Sequence, residues 1–217
     1  MKILNLYACL GGNRYKWNEV KDDIEVTAVE LDPECARLYQ ERFPNDTVIV
    51  ADAHQYLLEH YKEYDFIWSS PPCPTHSKIR VTQKNRSTFI DKYPDLKLYE
   101  EIIFLDNFYK GKYCVENVIP YYKPLIEGNK RGRHLYWTNF NLPADLKCRK
   151  LGGMLCYMKN EVQSLSKFHD YDFYKYKGKQ RIDKIARNLV DYEVGKTIFE
   201  TALGIINKKD NKQTQLF

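Results

Sequence analysis

Tyr64-Asp65-Phe66-Ile67-Trp68-Ser69-Ser70-Pro71-Pro72-Cys73 is the stretch on which the reading of this chain turns. Residues 64–68 form a short apolar run of strand length, and two consecutive prolines close it. Proline lacks the N–H that a ladder needs and holds its own φ, so Pro71-Pro72 makes a stiff turn and not more strand. That turn presents a thiol at the carboxyl end of a buried strand, the edge at which open α/β sheets bind ligands. Cys73 is therefore a candidate nucleophile, since thiolate attacks strongly even when only a few per cent is ionised. Val115-Glu116-Asn117-Val118 closes a second apolar run in the same way. A nucleophile and a carboxylate at neighbouring strand ends suggest covalent catalysis on a group that must be protonated as it is attacked.

Outward from this turn, apolar and amphipathic segments alternate. Strands are expected over 2–7, 25–30, 47–50, 64–68 and 112–115, and helices over 33–43, 53–61, 96–109 and 183–203. Asp32 is the expected N-cap of the first helix, with Pro33 at its first position. This order predicts an α/β fold, a mostly parallel sheet with helices on both faces. A polar, basic loop is expected over 77–92. From 143 to 180 the pattern decays into an inserted, irregular or short-stranded unit, and 207–217 reads as a polar tail.

Composition narrows the class. The 217 residues suit one domain, or one domain with a small insertion, and a hydrophobic fraction of 43% is enough for a core. The net charge of +5 is compatible with a polyanionic partner without being evidence for one. No apolar run approaches the ~18 residues that span a bilayer, so no membrane is expected as partner. Met1-Lys2-Ile3-Leu4-Asn5-Leu6 turns polar too soon for a signal peptide and reads as a first strand. The cysteines include no CxxC pair, which speaks against a disulfide framework and for a reduced, cytoplasmic protein. Cys148 and Cys156 have no second pair at metal spacing, so no metal is expected.

The first three strand ends carry a second signal. Leu4-Asn5-Leu6-Tyr7-Ala8-Cys9-Leu10-Gly11-Gly12-Asn13 is a strand running into a glycine loop, and adjacent glycines let a backbone approach a ligand closely. The GxGxxG pattern and the P-loop are both absent. The second strand ends in Glu30, with Asp32 two positions on, where a carboxylate can accept hydrogen bonds from ribose hydroxyls. Asp52 follows the third strand and can take an adenine amino group. With no cationic phosphate clamp in the loop, the set favours an adenosyl cofactor without phosphates.

Leu6-Tyr7-Ala8-Cys9-Leu10-Gly11-Gly12, Val29-Glu30, Asp52, Pro71-Pro72-Cys73, Glu116-Asn117-Val118, Arg131-Gly132-Arg133 and Arg187-Asn188-Leu189-Val190 come in the order of the motifs of DNA (cytosine-5)-methyltransferases. The chain resembles the compact phage or mobile-element members over nearly all of its length except 143–180. It has Tyr7-Ala8-Cys9-Leu10-Gly11 where the family more often has Phe-x-Gly-x-Gly. The resemblance implies an S-adenosylmethionine-dependent, Rossmann-like fold and duplex DNA with a flipped-out target cytosine as substrate. It implies that Tyr7, Gly11, Gly12, Glu30, Asp52, Pro72, Asn188 and Val190 form the cofactor site. It also implies Cys73 as nucleophile, Glu116 on the cytosine ring, and Arg131 and Arg133 lining the pocket. Residues 1–142 and 181–210 would be the catalytic domain of a monomer, 143–180 a small target-recognition insertion and 211–217 a tail.

The chemistry asks for such groups. Carbon 5 of cytosine is a poor nucleophile, and adding a thiolate to carbon 6 makes it reactive, dividing one hard step into two easier ones. An acid at ring nitrogen 3 neutralises the charge; Glu116, if partly buried, would be favoured in its neutral form. Arg133 or a helix start could lower the Cys73 thiol, and His76, three residues on, reads as polar surface. The tyrosines and lysines of 143–180 (Tyr157, Tyr171, Tyr174, Tyr176, Lys159, Lys167, Lys175, Lys177, Lys179) could contact phosphates and bases, or the tyrosines could be core. The basic loop after Cys73 would face DNA through Lys78, Arg80, Lys84, Arg86 and Lys92. The alternatives are an exocyclic-amino methyltransferase, a zinc base deaminase, a catalytically inactive DNA-binding relative, and an RNA substrate. Cys73 with Glu116 weighs against the first; His76 in place of a second cysteine and the lack of any His-x-Glu weigh against the second; and the retained Cys73, Glu116, Arg131 and Arg133 weigh against the third.

Overall fold

Strands covered on both faces read as continuous apolar runs. All of β4 (Phe66–Ser69) is buried, and so is all of β1 (Lys2–Leu6) except Lys2. The computed structural model, which describes residues 1–82, 92–151 and 160–206, places these two strands side by side in a seven-stranded sheet. β2 (Glu25–Glu30), β3 (Thr47–Val50) and β5 (Lys112–Val118) complete its parallel part. A hairpin of β6 (Asn129–Arg131) and β7 (His134–Thr138) adds antiparallel to β5, so the order is β3-β2-β1-β4-β5-β7-β6. The order reverses between β1 and β4, and the ends of these strands form the switch point at which such sheets hold ligands.

Side chains alternate across the sheet with period two. Leu4, Leu6, Ile67 and Val115 face Leu98, Tyr99, Ile102 and Leu105 of α4 (Lys97–Phe108). Ile3, Phe66, Trp68 and Cys114 face Val194, Ile198 and Phe199 of α7 (Tyr192–Ala202). Helices on both faces match the expected class. α1 (Pro33–Arg42) starts at Asp32, whose side chain accepts from the N–H groups of Glu34 and Cys35. α2 (Ala53–His60) starts at Asp52, which accepts from the Gln55 N–H.

Several expectations are corrected. The helix expected over 183–203 is two helices, α6 (Ile182–Asn188) and α7. Asp191 separates them because its carboxylate caps α7 at the Glu193 N–H and also binds Arg149, at 2.8 Å. The expected loop after Cys73 begins with a short helix, α3 (Lys78–Thr82); 83–91, with Lys84 and Arg86, lies outside the described residues. The expected irregular unit contains α5 (Glu161–His169) and no strand among its described residues. Its described second half leans on α1: Tyr176 Oη donates to Asp32 at 2.7 Å and Arg42 donates to the His169 carbonyl at 3.2 Å. Phe173 and Tyr176 join Leu10, Cys35, Leu38 and Ile185 in one apolar cluster with Tyr171 packed on it, whereas Tyr174 is exposed. Cys156, Tyr157, Lys159 and the expected tail 211–217 lie outside the described residues. Among the described residues no helix is long and apolar enough to cross a membrane, and no metal-ligand cluster occurs.

Candidate active site

The Pro-Pro-Cys turn is bolted to the end of β5. Asn117 Nδ2 donates to the Pro71 carbonyl at 2.9 Å in a buried hydrogen bond spanning 46 residues of sequence. The Asn117 side-chain oxygen accepts from the Val118 N–H at 2.9 Å, so its amide has one orientation. Beyond the prolines the Cys73 carbonyl accepts from the His76 and Ser77 N–H groups at 3.0 and 3.1 Å, which closes the turn around a half-buried thiol. Pro72 is exposed beside it.

His76 is not polar surface. It is buried, its Nδ1 bonds to the Tyr122 hydroxyl, and the Tyr99 and Tyr122 rings lie against it. Burial pushes its imidazole below the ordinary value, towards the neutral form. Its carbonyl accepts from the Tyr121 N–H, so this residue ties the Pro-Pro-Cys turn to the segment after β5.

Burial pushes the Cys73 thiol up to about 11, the Glu116 charge adds to that shift, and Lys184 of α6 opposes it. Glu116 is 7% exposed, on β5 beside the turn. The expectation that Arg133 lowers the thiol is not met. Arg133 is exposed, with no side-chain hydrogen bond or ion pair among the described residues, and the cation acting on the thiol is Lys184. Arg131 spends its guanidinium on the Pro143 and Leu142 carbonyls, at 2.7 and 3.3 Å. A thiol titrating near 11 is thiolate in about one molecule in 10⁴ at pH 7. Peptide-mapped alkylation of Cys73 in the free protein is therefore expected to speed up about tenfold per pH unit between about pH 7 and 9. A rate already level at neutral pH would contradict the burial argument.

The first strand ends build the second half of the site. Tyr7 and Cys9 hold left-handed backbone (φ 55° and 45°), as does Gly11 at 68°. Such a loop turns its N–H groups sharply. The Cys9 N–H reaches Glu30 Oε2 and the Asp32 N–H reaches Glu30 Oε1, both at 2.8 Å. Burial raises the Glu30 carboxyl, with these two bonds opposing. Asp52 is lowered, chiefly by the Gln55 N–H it accepts; its other oxygen lies 3.8 Å from Lys97 Nζ. Two carboxylates with lone pairs to spare form an acceptor set that suits a ribose diol and an exocyclic amine better than a phosphate.

A methyl group on Gly12 would lie 2.4 Å from the Val190 carbonyl oxygen. The glycine loop and the segment between α6 and α7 thus meet where only glycine fits, while Asn188 stands exposed at the end of α6. Gly12→Ala is expected to push the Val190 segment away and weaken adenosyl-cofactor binding by about tenfold or more, read by calorimetric titration. Unchanged affinity would contradict that close approach.

Glu101 was not foreseen. It has no exposure, yet it accepts from Tyr7 Oη at 2.5 Å and Ser69 Oγ at 2.6 Å, with His54 Nδ1 at 3.1 Å. One carboxylate on α4 thereby joins the ends of β1 and β4 to α2. Burial and the Glu101 charge raise Tyr7, and the Glu101 hydrogen bond raises His54. The available signal was a glutamate inside the apolar stripe Leu98, Ile102, Leu105 of a helix.

The profile of the C-5 cytosine-specific DNA methylase family matches residues 1–118. No curated protein matches the chain. Among solved structures, a Spodoptera frugiperda DNMT2 variant is 24% identical over 54% of this chain and 35% of its own, with a TM-score of 0.38. The Entamoeba histolytica methyltransferase EhMeth is 13% identical over 54% of this chain and 38% of its own, with a TM-score of 0.35. The chain thus spans little more than a third of the length of either protein, and the strand order above carries the fold assignment by itself.

Proposed function

Because this chain belongs to the C-5 cytosine-specific DNA methylase family, we propose that it transfers a methyl group from S-adenosylmethionine to carbon 5 of a flipped-out cytosine in DNA through a covalent Cys73 adduct. The observation that carries this reading is the buried Asn117 to Pro71 hydrogen bond, which couples the thiol turn to the strand end bearing Glu116.

The cofactor fits the acceptor set at the first three strand ends. Glu30 would hold the ribose and Asp52 the adenine amine. Tyr7, Pro72, Asn188 and Val190 would wall the cofactor, with the Gly11-Gly12 backbone against it. When bound, S-adenosylmethionine supplies an electrophilic methyl group.

The chain's own residues do the rest. The base must leave the duplex, at a cost of a few kcal/mol. Cys73 gives its proton to solvent water, and its sulfur bonds to carbon 6 while the carbon 5–carbon 6 double bond opens. Glu116 delivers a proton to ring nitrogen 3, so no charge accumulates on the ring. Arg133, exposed and uncommitted among the described residues, would hold the carbonyl oxygen at carbon 2, and Arg131 would shape the pocket wall through its two backbone bonds. Once carbon 5 carries the methyl group it loses its hydrogen as a proton to water, and the sulfur leaves as thiolate with the double bond restored.

The test is a DNA duplex with 5-fluorocytosine at a methylatable position, incubated with protein and cofactor. Fluorine cannot leave as a cation, so the adduct persists and shifts the protein band on a denaturing gel. Bisulfite sequencing of DNA from expressing cells locates the position. No adduct and no new methylcytosine would overturn the reading.

A further inference from the structure

His134 stands two residues from Tyr136 on β7, and Tyr136 lies directly opposite Glu116 of β5. In an antiparallel pair this diagonal puts Glu116 and His134 on the same face, within reach of each other. Their approach is direct: His134 Nε2 lies 3.4 Å from Glu116 Oε1. The side-chain exposures, 33% and 9%, place the imidazole between solvent and a carboxylate that is closed off from it. The Tyr136 ring packs edge-on against the imidazole.

The other groups facing Glu116 are the Cys73 thiol from the turn, the Cys114 thiol from β5 itself and the Tyr136 hydroxyl from β7. All three are weak acids that burial keeps in their neutral forms, with the Glu116 charge adding to the shift. His134 is the one group of this set that can carry positive charge. Arg131 is spent on backbone carbonyls, and the Arg133 side chain makes no ion pair with Glu116.

Resting on the reading above, we propose that His134 is the positioning residue of Glu116 and shares with it the proton that Glu116 delivers to ring nitrogen 3. The pair holds one proton, either as imidazolium and carboxylate or as imidazole and carboxylic acid. As the Cys73 sulfur bonds to carbon 6, nitrogen 3 gains basicity. The Glu116 proton then moves to nitrogen 3, and the Nε2 proton is the one that reaches Oε1. When the sulfur leaves, the proton returns along the same path, so the pair ends as it began. A free imidazole keeps its proton about two pH units higher than a free carboxylic acid.

The experiment compares pH profiles of kcat for wild type, His134→Gln and His134→Arg on a methylatable duplex. In His134→Gln the alkaline limb of kcat is expected to move at least about one unit towards acid, with a loss of roughly tenfold or more near pH 7.5. The KM for DNA should change by less than about threefold. In His134→Arg the permanent cation holds Glu116 ionised, so kcat is low at every pH and the alkaline limb is absent. A His134→Gln profile that coincides with wild type, or lies uniformly below it, overturns the proposal, because a structural role lowers the rate without moving the limb. If His134→Gln does not fold, a wild-type alkaline limb retained in His134→Arg overturns it as well. Adduct formation on 5-fluorocytosine separates the two levels: adduct with unmoved limbs rejects only the role of His134, and no adduct in wild type rejects the function itself.

Discussion

Cys73→Ala is expected to remove methyl transfer, with a fall in rate on the order of 10⁴ or more, while the protein stays folded. The size of the loss follows from the chemistry. Without sulfur at carbon 6, carbon 5 has no source of electron density, and binding the base in the right place cannot replace a missing bond. The integrity of the variant follows from the structure. The thiol is half-buried at the open end of the sheet, not in either apolar cluster that covers its faces. Deleting one atom there costs about 1 kcal/mol or less. The Asn117 to Pro71 hydrogen bond, which holds the turn, uses backbone and is untouched. Bisulfite sequencing and a thermal melt read the two halves together. Methylation persisting in the variant would remove the thiol from the reaction; a collapsed melting temperature would mean that the turn depends on the sulfur.

Asp46→Ala is expected to cost about 3–5 kcal/mol of stability. Arg14 binds both oxygens of Asp46 at 2.9 Å, and the two side chains are 6% and 3% exposed. Tyr39 Oη donates to the same carboxylate at 2.9 Å. Removing the carboxylate strands a buried guanidinium and a buried hydroxyl, and water cannot reach either of them freely. Arg14 follows directly on the glycine loop, and Gly195 of α7 packs on the Asn13 backbone where a methyl group would lie 2.2 Å from the Asn13 carbonyl oxygen. The loss should therefore spread to the loop, with the affinity for the cofactor falling alongside the urea midpoint. Asp46→Asn, which keeps an acceptor for Arg14 and Tyr39, should lose less. Equal losses in the two variants would show that the charge, and not the geometry, holds this corner.

Much of the fold was legible because its signals are local. Asp32 with Pro33 announces a helix start within a few residues, and the start is where it was expected. The continuous apolar runs of β1 and β4 announce strands covered on both faces. The Pro-Pro-Cys turn needs no partner to be stiff. The break between α6 and α7 was not legible, because Asp191 acts there through Arg149, far away in sequence. The β6–β7 hairpin was hidden in a short polar stretch, Asn129–Arg131, whose pairing depends on a neighbour strand. His76 reads as surface until Tyr99 and Tyr122 close over it.

The amino-acid order alone determined which chemical groups stand at the carboxyl ends of the strands: a thiol after β4, carboxylates after β2 and β3, a glutamate near the end of β5. It could do so because strand ends, caps and proline turns are set by neighbours a few residues away. Which of those groups meet was decided only by the tertiary structure. Glu116 faces His134, Lys184 acts on Cys73, Glu101 joins three elements, and Gly12 lies against Val190. Each of these contacts spans roughly 15 to 180 residues of chain, and the energy of a contact depends on separation in space, which the order of residues does not carry.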